Sequence, residues 1–425
     1  MQTRASLSII LGFIFVISLS FSFYYRISPT TDAKAYTRIA RNLAGGFGYI
    51  EHIENAGNVA IDDAIVRVGP GYEFFLAGIY WVVGGQNLPI VWILQAILRV
   101  LTAFFIYRLS VLLFYDGYTG SIVGLISAVI FGFMPDLVVV GGMLLAETLF
   151  LFLLVASVYY SILLLRDEKL SQAYITGILW STTLLVRPTV IPMILFLTIL
   201  LVQKRRIFFA VITVFFCVAS AGAWSVRNSF VYGKPLFTTT AGSYALWIGN
   251  NAGATGGYDK TPQIQSLIDN SHSVDLSQKA FKDYFSFIVH RPAKFIELQF
   301  KKSVMYFSFL RPMGFWLYLN NRPADKIITL ALSGIYTILL FIFGTLGAYL
   351  YFNKDLREKI FILGIFLLQP LVVIPTYVET RYRSPFYIFL AIFAAYSIYY
   401  LWKNLFPKKA LLIIVLVFII ISSVD

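Results

Sequence analysis

Apolar runs long enough to cross a bilayer recur along almost the whole chain. A helix of about 20 apolar residues spans the hydrocarbon core of a membrane. Of the 425 residues, 59% are hydrophobic and 13% are charged, whereas soluble domains carry about 25% charged residues. The sequence therefore predicts an all-α polytopic membrane protein, a bundle of about 11 transmembrane helices. The predicted spans lie near 7–25, 88–114, 119–138, 143–165, 172–187, 188–203, 206–226, 326–351, 359–376, 385–402 and 410–423.

Two polar segments, 26–70 and 227–325, interrupt these runs. The apolar segment 71–84 is too short to span and predicts a helix lying at the membrane interface. The sequence thus predicts an N-terminal transmembrane module (1–226) that contains the first exoplasmic loop (26–87), a mainly helical exoplasmic loop domain (227–325) and a C-terminal transmembrane module (326–425).

The basic residues orient the predicted spans. With the N-terminus in the cytoplasm, the short cytoplasmic loops include the basic runs 204–206 and 408–409, as the positive-inside rule requires. Both long polar segments then lie on the exoplasmic side, because long loops translocate largely regardless of charge. We therefore expect a multi-pass protein of the cell membrane, and an active site formed by the polar segments would lie on the exoplasmic face.

Composition and motifs exclude several classes of function. The net charge of +13 follows from this topology, and because no nucleic-acid-binding motif is present, no nucleic acid partner is expected. Cys217 is the single cysteine, and His52, His272 and His290 are far apart, so no zinc spacing exists. Carboxylates could bind a divalent metal, but nothing in the sequence indicates a metal or another cofactor.

The first polar segment holds the first candidate site. Asp32 lies just beyond the first span, and Tyr36 and Leu43 belong to an apolar pattern that predicts a helix over 33–44. Thr31 or Asp32 would cap this helix. A carboxylate at the interface could also act as a general base, and the two roles are compatible.

Other acidic residues lie at the outer ends of predicted elements. Glu73 and Arg67 flank a Gly-Pro-Gly turn at 69–71, and Asp136 and Glu147 end consecutive spans. The simpler interpretation is a turn with solvated charges and a helix cap at Asp136. Carboxylates at membrane depth are costly and usually face a cavity, which makes Glu147 a candidate site residue.

Four arginines, Arg187, Arg227, Arg381 and Arg383, fall on the predicted outer side, against the usual charge bias. Grouped guanidinium groups suit an anionic headgroup such as a phosphate. Alternatively, each could be an interface anchor. Arg99 lies in the middle of a span, where a functional role and a structural pairing with a carbonyl or a carboxylate both remain open.

The glycine-rich segment 249–257 predicts a flexible loop. It lacks the Lys-Ser/Thr end of a phosphate-binding loop and the strand–helix context of a dinucleotide site. No Asp-x-Asp motif is present either, which argues against a nucleotide-sugar donor.

Taken in order, these residues resemble the GT-C superfamily of membrane glycosyltransferases, and among them the dolichyl-phosphate-mannose–protein mannosyltransferases and bacterial aminoarabinose transferases. The sequence departs from both branches, since Ala33 follows Asp32 where the mannosyltransferases have Asp-Glu, and Gly69-Pro70-Gly71 stands where the other branch has Glu-Lys-Pro-Pro. Sugar and acceptor therefore stay open. The similar stretches are Asp32–Tyr49, Pro70–Tyr72, Glu147–Phe150, Leu185–Pro188, Trp224–Gly233, Gly249–Asn251 and Glu379–Pro385.

The resemblance implies a polyprenyl-phosphate-linked sugar as donor and an acceptor glycan, lipid or protein, both met at the bilayer. Asp32 would deprotonate the acceptor, and basic residues would stabilise the leaving phosphate without a metal, with inversion at the anomeric carbon. The implied substrate-binding residues are Lys34, Tyr36, Arg67, Glu73, Glu147, Arg187, Arg227, Arg381, Tyr382 and Arg383.

Two other classes of function remain as alternatives. A transporter or flippase for a lipid-linked sugar would need polar residues along a path across the membrane, whereas the charges here concentrate at the outer face. A non-catalytic membrane scaffold is the third interpretation, and it would tolerate the change Asp32→Asn.

Overall fold

A computed structural model describes residues 2–62, 64, 69–114, 117–234, 236–269, 271–309, 319, 322–353 and 358–403. Within these ranges all regular structure is helical, which confirms the all-α prediction. The predicted span 410–423 and the candidate residue Arg67 lie outside the described residues.

The described part of the chain contains 17 α-helices. In chain order they are α1 (Gln2–Tyr25), α2 (Asp32–Ala44), α3 (Gly71–Val83), α4 (Leu88–Leu113), α5 (Gly117–Gly132), α6 (Pro135–Gly141), α7 (Glu147–Asp167), α8 (Leu170–Val186), α9 (Ile191–Gln203), α10 (Ile207–Tyr232), α11 (Ala241–Ile248), α12 (Pro262–Asp269), α13 (Ser273–His290), α14 (Pro292–Phe307), α15 (Pro323–Phe352), α16 (Lys359–Val373) and α17 (Ser384–Trp402).

Six helices, α1, α4, α7, α10, α15 and α17, are long and apolar enough to cross a membrane, and the pair α5–α6, bent by 60°, could form a seventh span. The predicted number of 11 is therefore not confirmed. The difference lies mainly in α8, α9 and α16, which have 17, 13 and 15 residues. At 1.5 Å per residue these helices reach about 20–26 Å, short of a hydrocarbon core of about 30 Å.

Helices α7 and α17 form the centre of the bundle. In both, 83% of the span is buried inside the protein, against 22–50% in the other long helices. Apolar residues surround α17 on all sides, as expected for a helix enclosed by others. Glycines allow α15 to approach it closely, since a Cβ atom on Gly347 would lie 1.7 Å from the carbonyl oxygen of Phe393.

This contact predicts that substitutions at two glycines of α15 will change the stability of the protein to very different extents. Gly347→Ala should destabilise the protein by about 1–3 kcal/mol, because the clash is with backbone that cannot rotate away. Gly334→Ala is the matched control, since a Cβ there meets nothing within 4 Å. Thermal unfolding of both variants in detergent measures the difference, and equal midpoints would contradict this packing.

Polar side chains of α4 hold the backbone at two places, the end of α5 and the stretch between α6 and α7. The amide nitrogen of Gln95 donates to the carbonyl oxygens of Gly141 and Met143, at 2.9 and 2.8 Å. Arg99 donates to the hydroxyl of Ser18 at 2.7 Å and to the carbonyl of Gly132 at 2.9 Å. Backbone groups away from water need such partners, so Arg99 has a structural role, one of the two left open by the sequence.

Ion pairs close the end of the bundle opposite to Asp32. Arg166, near the end of α7, contacts Glu358 at 2.6 Å and donates to the carbonyl of Leu112 at 2.7 Å. Arg206 donates to the carbonyl of Leu165 at 2.5 Å. The basic run 204–206 therefore lies at this end, away from Asp32.

The first polar segment folds around one carboxylate. Asp62 accepts hydrogen bonds from the backbone nitrogens of Glu51, His52 and Ala64, at 2.6, 3.0 and 2.9 Å. The side chain of Asn55 donates to the same carboxylate at 3.1 Å. These bonds gather the residues that follow α2 into a compact loop.

Helices confirm the expectation for the second polar segment. Helices α11 to α14 occupy most of its described part, as predicted for a mainly helical segment. At the start of the glycine-rich segment 249–257, the side chain of Asn250 is fully buried.

Candidate active site

Five charged side chains from separate parts of the chain converge at one end of the bundle. Asp32 is the first residue of α2, Glu147 is the first residue of α7, and Arg187 directly follows α8. Glu379 and Arg381 lie at the turn before α17. Together they form what we call the carboxylate–arginine network.

Short contacts connect the members of this network. Arg381 donates through Nη2 to Oδ2 of Asp32 at 2.9 Å and through Nε to Oε2 of Glu379 at 2.7 Å. Its Nε also lies 3.8 Å from Oε1 of Glu147. Arg187 donates through Nη2 to the same Oε1 at 2.6 Å. Each guanidinium is thus compensated by carboxylates, as charges away from water require.

Asp32 is the most exposed side chain of the network. It is 32% exposed, whereas Glu147 is 2% exposed and Glu379 is 11% exposed. Burial raises the pKa of Glu379, an effect that the neighbouring Arg381 opposes. Among the three carboxylates, Asp32 is therefore the one placed to meet a reactant.

Aromatic rings enclose the arginines. The guanidinium groups of Arg187 and Arg381 lie 5.6 and 5.3 Å from the ring centre of Tyr382. Arg187 also lies 5.5 Å from the ring of Phe150. The hydroxyl of Tyr377 is 3.0 Å from that of Tyr382. These cation–π contacts help to fix the orientation of both guanidinium groups.

Tyr36 lies close to the carboxylates of Asp32, Glu147 and Glu73. Burial, together with the negative charges of Asp32, Glu73 and Glu147, raises the pKa of Tyr36 well above its usual value. The ring of Tyr36 packs 5.4 Å from that of Tyr72. Tyr36 and Glu73 are both buried, whereas Lys34 of the same loop is exposed and Arg67 lies outside the described residues.

The Gly-Pro-Gly turn brings the start of α3 against the end of α8. A Cβ atom on Gly69 would lie 1.9 Å from the carbonyl oxygen of Leu185, and one on Gly71 would lie 2.9 Å from the backbone nitrogen of Val186. No other residue type fits at these positions. The turn therefore lies directly beside Arg187.

Arg227 lies in a different environment. Its guanidinium stacks on Tyr49, Trp224 and Tyr232, at 5.6, 5.0 and 5.9 Å from the ring centres. It donates to Oδ1 of Asn228 at 3.1 Å. In the part of the chain that the structure describes, no carboxylate lies within 4 Å of the nitrogens of Arg227.

Two other predicted cations differ in exposure. Lys34 is exposed on the first turn of α2. Arg383 is fully buried and donates to the backbone carbonyls of Tyr306 and Ser308, the first at 3.2 Å. The structure thus places Arg383 between α14 and α17, in contact with backbone carbonyls.

The structure brings six of the predicted residues together and adds one that the sequence did not single out. The added residue is Glu379. Its position two residues before Arg381 is the sequence feature that could have indicated it. The six are Asp32, Tyr36, Glu147, Arg187, Arg381 and Tyr382. Among the described residues, no three His, Cys, Asp or Glu side chains form a group suited to a metal ion.

Comparison with known proteins supports the resemblance seen in the sequence. Residues 67–227 match the family model described as dolichyl-phosphate-mannose-protein mannosyltransferase. No curated protein matches the chain. The matched segment contains Glu73, Glu147, Arg187 and Arg227. The match covers 161 of the 425 residues and is a similarity to this family of membrane glycosyltransferases.

The contact between Arg187 and Glu147 predicts a large effect on stability. Arg187→Gln should destabilise the protein by about 3–5 kcal/mol, because it leaves the carboxylate of Glu147 buried with a weaker partner. The exposed pair of Lys294 and Glu297, at 2.7 Å, is the matched control, where Lys294→Gln should cost less than about 1 kcal/mol. Thermal unfolding measures both, and equal losses would show that burial does not govern the pair.

Proposed function

We propose that this protein is an inverting glycosyltransferase of the cell membrane. It transfers a sugar from a polyprenyl-phosphate-linked donor to a hydroxyl or phosphate group of an acceptor glycan, lipid or protein on the exoplasmic side. The observation that carries the proposal is the exposed carboxylate of Asp32, held by Arg381 at the end of the bundle. The family match over residues 67–227 supports it.

Asp32 acts as the general base in this proposal. Its carboxylate accepts the proton of the acceptor hydroxyl while that oxygen attacks the anomeric carbon of the sugar. The bond from this carbon to the phosphate oxygen breaks, and the electron pair leaves with the lipid phosphate. The role suits Asp32 because it is the exposed carboxylate of the network, and a base must reach the proton that it removes.

Arg381 orients Asp32 and is not the main phosphate-binding group. Its Nη2 and Nε atoms already bind the carboxylates of Asp32 and Glu379. In an inverting displacement the base and the leaving group lie on opposite faces of the sugar. The guanidinium of Arg381 binds the base Asp32 through Nη2 and Glu379 through Nε. It therefore lies on the side of the base, whereas the phosphate leaves from the opposite face.

Arg227 is the better candidate for the phosphate, with Lys34 as a second cation. When all its members are ionised, the network holds three carboxylates and two guanidinium groups, so its net charge of −1 repels an anion. The charge of Arg227 faces aromatic rings instead of a carboxylate. Its guanidinium can therefore stabilise the negative charge that develops on the phosphate.

The surroundings of Arg227 also suit a lipid tail. The ring of Phe74 packs 5.8 Å from that of Trp224, and Phe74 is exposed. Phe230, on the last turn of α10, is exposed as well. A phosphate bound at Arg227 would thus have apolar surface beside it, along which a polyprenyl chain can leave the site.

The transporter alternative is less well supported. Arg99 is the charged residue that lies in the middle of a predicted span, where a polar path across the membrane would need one. The guanidinium of Arg99 is buried and donates to Ser18 and Gly132. Arg99 therefore links α4 to α1 and α5, and it does not line a polar path in the described part of the chain.

The first test compares wild-type protein with Asp32→Asn. Both are incubated with radiolabelled polyprenyl-phosphate sugars, one sugar at a time, and loss of label from the lipid is followed. We expect at least about a 100-fold lower rate, the usual contribution of a general base. Glu54→Gln is the control, because this carboxylate is exposed in the same loop. Equal rates for Asp32→Asn and wild type would remove Asp32 as the base.

The second test concerns the donor phosphate. Arg227→Gln should weaken donor binding by about 10- to 100-fold, since hydrogen bonds to charged groups contribute about 1.5–3 kcal/mol. Arg291→Gln, at an exposed arginine between α13 and α14, is the control. The KM for the donor measures the effect, and an unchanged KM would place the phosphate elsewhere.

A further inference from the structure

Lys302 is a buried lysine that the proposed chemistry does not use. It lies on α14, is fully buried, and its ammonium contacts four oxygen atoms. These are Oδ1 of Asn250 at 2.8 Å and the backbone carbonyls of Thr376, Gly249 and Pro375 at 2.9, 3.3 and 3.3 Å. Burial lowers the pKa of Lys302 to about 7, so these oxygens must compensate for the lost water when the lysine is charged.

The partners of Lys302 fasten the segment 374–383 to the second polar segment. The side-chain amide of Asn250 donates to the carbonyl of Pro375 at 2.8 Å. A Cβ atom on Gly249 would lie 2.0 Å from the carbonyl oxygen of Thr376, so the two backbones touch. The backbone nitrogen of Val378 donates to the carbonyl of Gly256 at 3.0 Å.

The fastened segment continues directly into the carboxylate–arginine network. Thr376 is three residues before Glu379 and five before Arg381. Two residues after Arg381, the side chain of Arg383 contacts α14 by donating a hydrogen bond to the carbonyl of Tyr306. The backbone that carries Glu379 and Arg381 is therefore held to α14 on both sides.

We propose that Lys302 is a positioning residue for sugar transfer. By fixing the backbone at Pro375 and Thr376, it sets the place of Arg381 and, through Arg381, the direction in which Asp32 points. This inference rests on the proposed function. Small displacements of a catalytic group lower turnover strongly, and a shift of 1 Å can cost about 100-fold.

The test compares Lys302→Met with Lys301→Met, a change at the adjacent exposed lysine. We expect Lys302→Met to lower kcat for donor cleavage by at least about tenfold, with little change in the KM for the donor, because Arg227 is untouched. Lys301→Met should behave as wild type. An unchanged kcat in Lys302→Met, or an equal loss in both variants, would overturn the proposal.

A second variant displaces the same backbone without changing charge. Gly249→Ala pushes a Cβ atom toward Thr376 and should reproduce the loss in kcat, whereas Gly242→Ala, where a Cβ meets nothing within 4 Å, should not. If Lys302→Met does not fold, this pair alone decides the question, and a normal kcat in Gly249→Ala contradicts the proposal.

Two further readouts separate positioning from general stability. Combined with Arg381→Lys, Lys302→Met should add little to the loss in kcat if it acts through Arg381, whereas a merely structural role would multiply the two losses. Amide hydrogen exchange over 376–382 should accelerate in Lys302→Met but not in Lys301→Met. Hydrogen exchange can be measured without donor cleavage. If the wild type cleaves no donor but exchange is faster in Lys302→Met, only the proposed function is refuted. If exchange in Lys302→Met is unchanged, the role of Lys302 is refuted.

Discussion

The geometry of the candidate site depends on one guanidinium group. Arg381 lies within 4 Å of Asp32, Glu147 and Glu379, and so links the start of α2, the start of α7 and the turn before α17. Such a group is stable away from water only when its charge and its hydrogen-bond donors are matched. The same contacts that compensate Arg381 also bring three distant parts of the chain together, so the stability and the shape of the site have one cause.

Much of the fold follows from local patterns that a sequence displays. The apolar runs predict the long helices, and helix α2 begins within one residue of its predicted start. The predicted number of 11 spans is not confirmed, because hydropathy does not reveal how much of an apolar run is helical. Around Arg187 and Pro188, for example, α8 ends at Val186 and α9 begins only at Ile191. Length of helix, and not apolar content alone, decides whether a run can cross the membrane.

The site itself was predictable in part. The sequence placed several charged residues on one side of the membrane, but which charges compensate one another depends on pairs as distant as Asp32 and Arg381, 349 residues apart. Local sequence therefore could not distinguish an arginine neutralised by carboxylates from Arg227, which stacks on aromatic rings. Lys302 was missed for a related reason, because a lysine in an amphipathic helix with other lysines nearby has the pattern of a solvated surface.

The compact loop around Asp62 has a consequence for which substitutions the chain tolerates. Asp32 is fixed by Arg381 before the loop begins, and Gly69 and Gly71 are fixed against α8 after it ends. Between these points the loop makes its own bonds through Asp62. Substitutions at exposed residues of this loop such as Glu54 should thus leave the carboxylate of Asp32 in place, so the chain tolerates change there even though the site beside it does not.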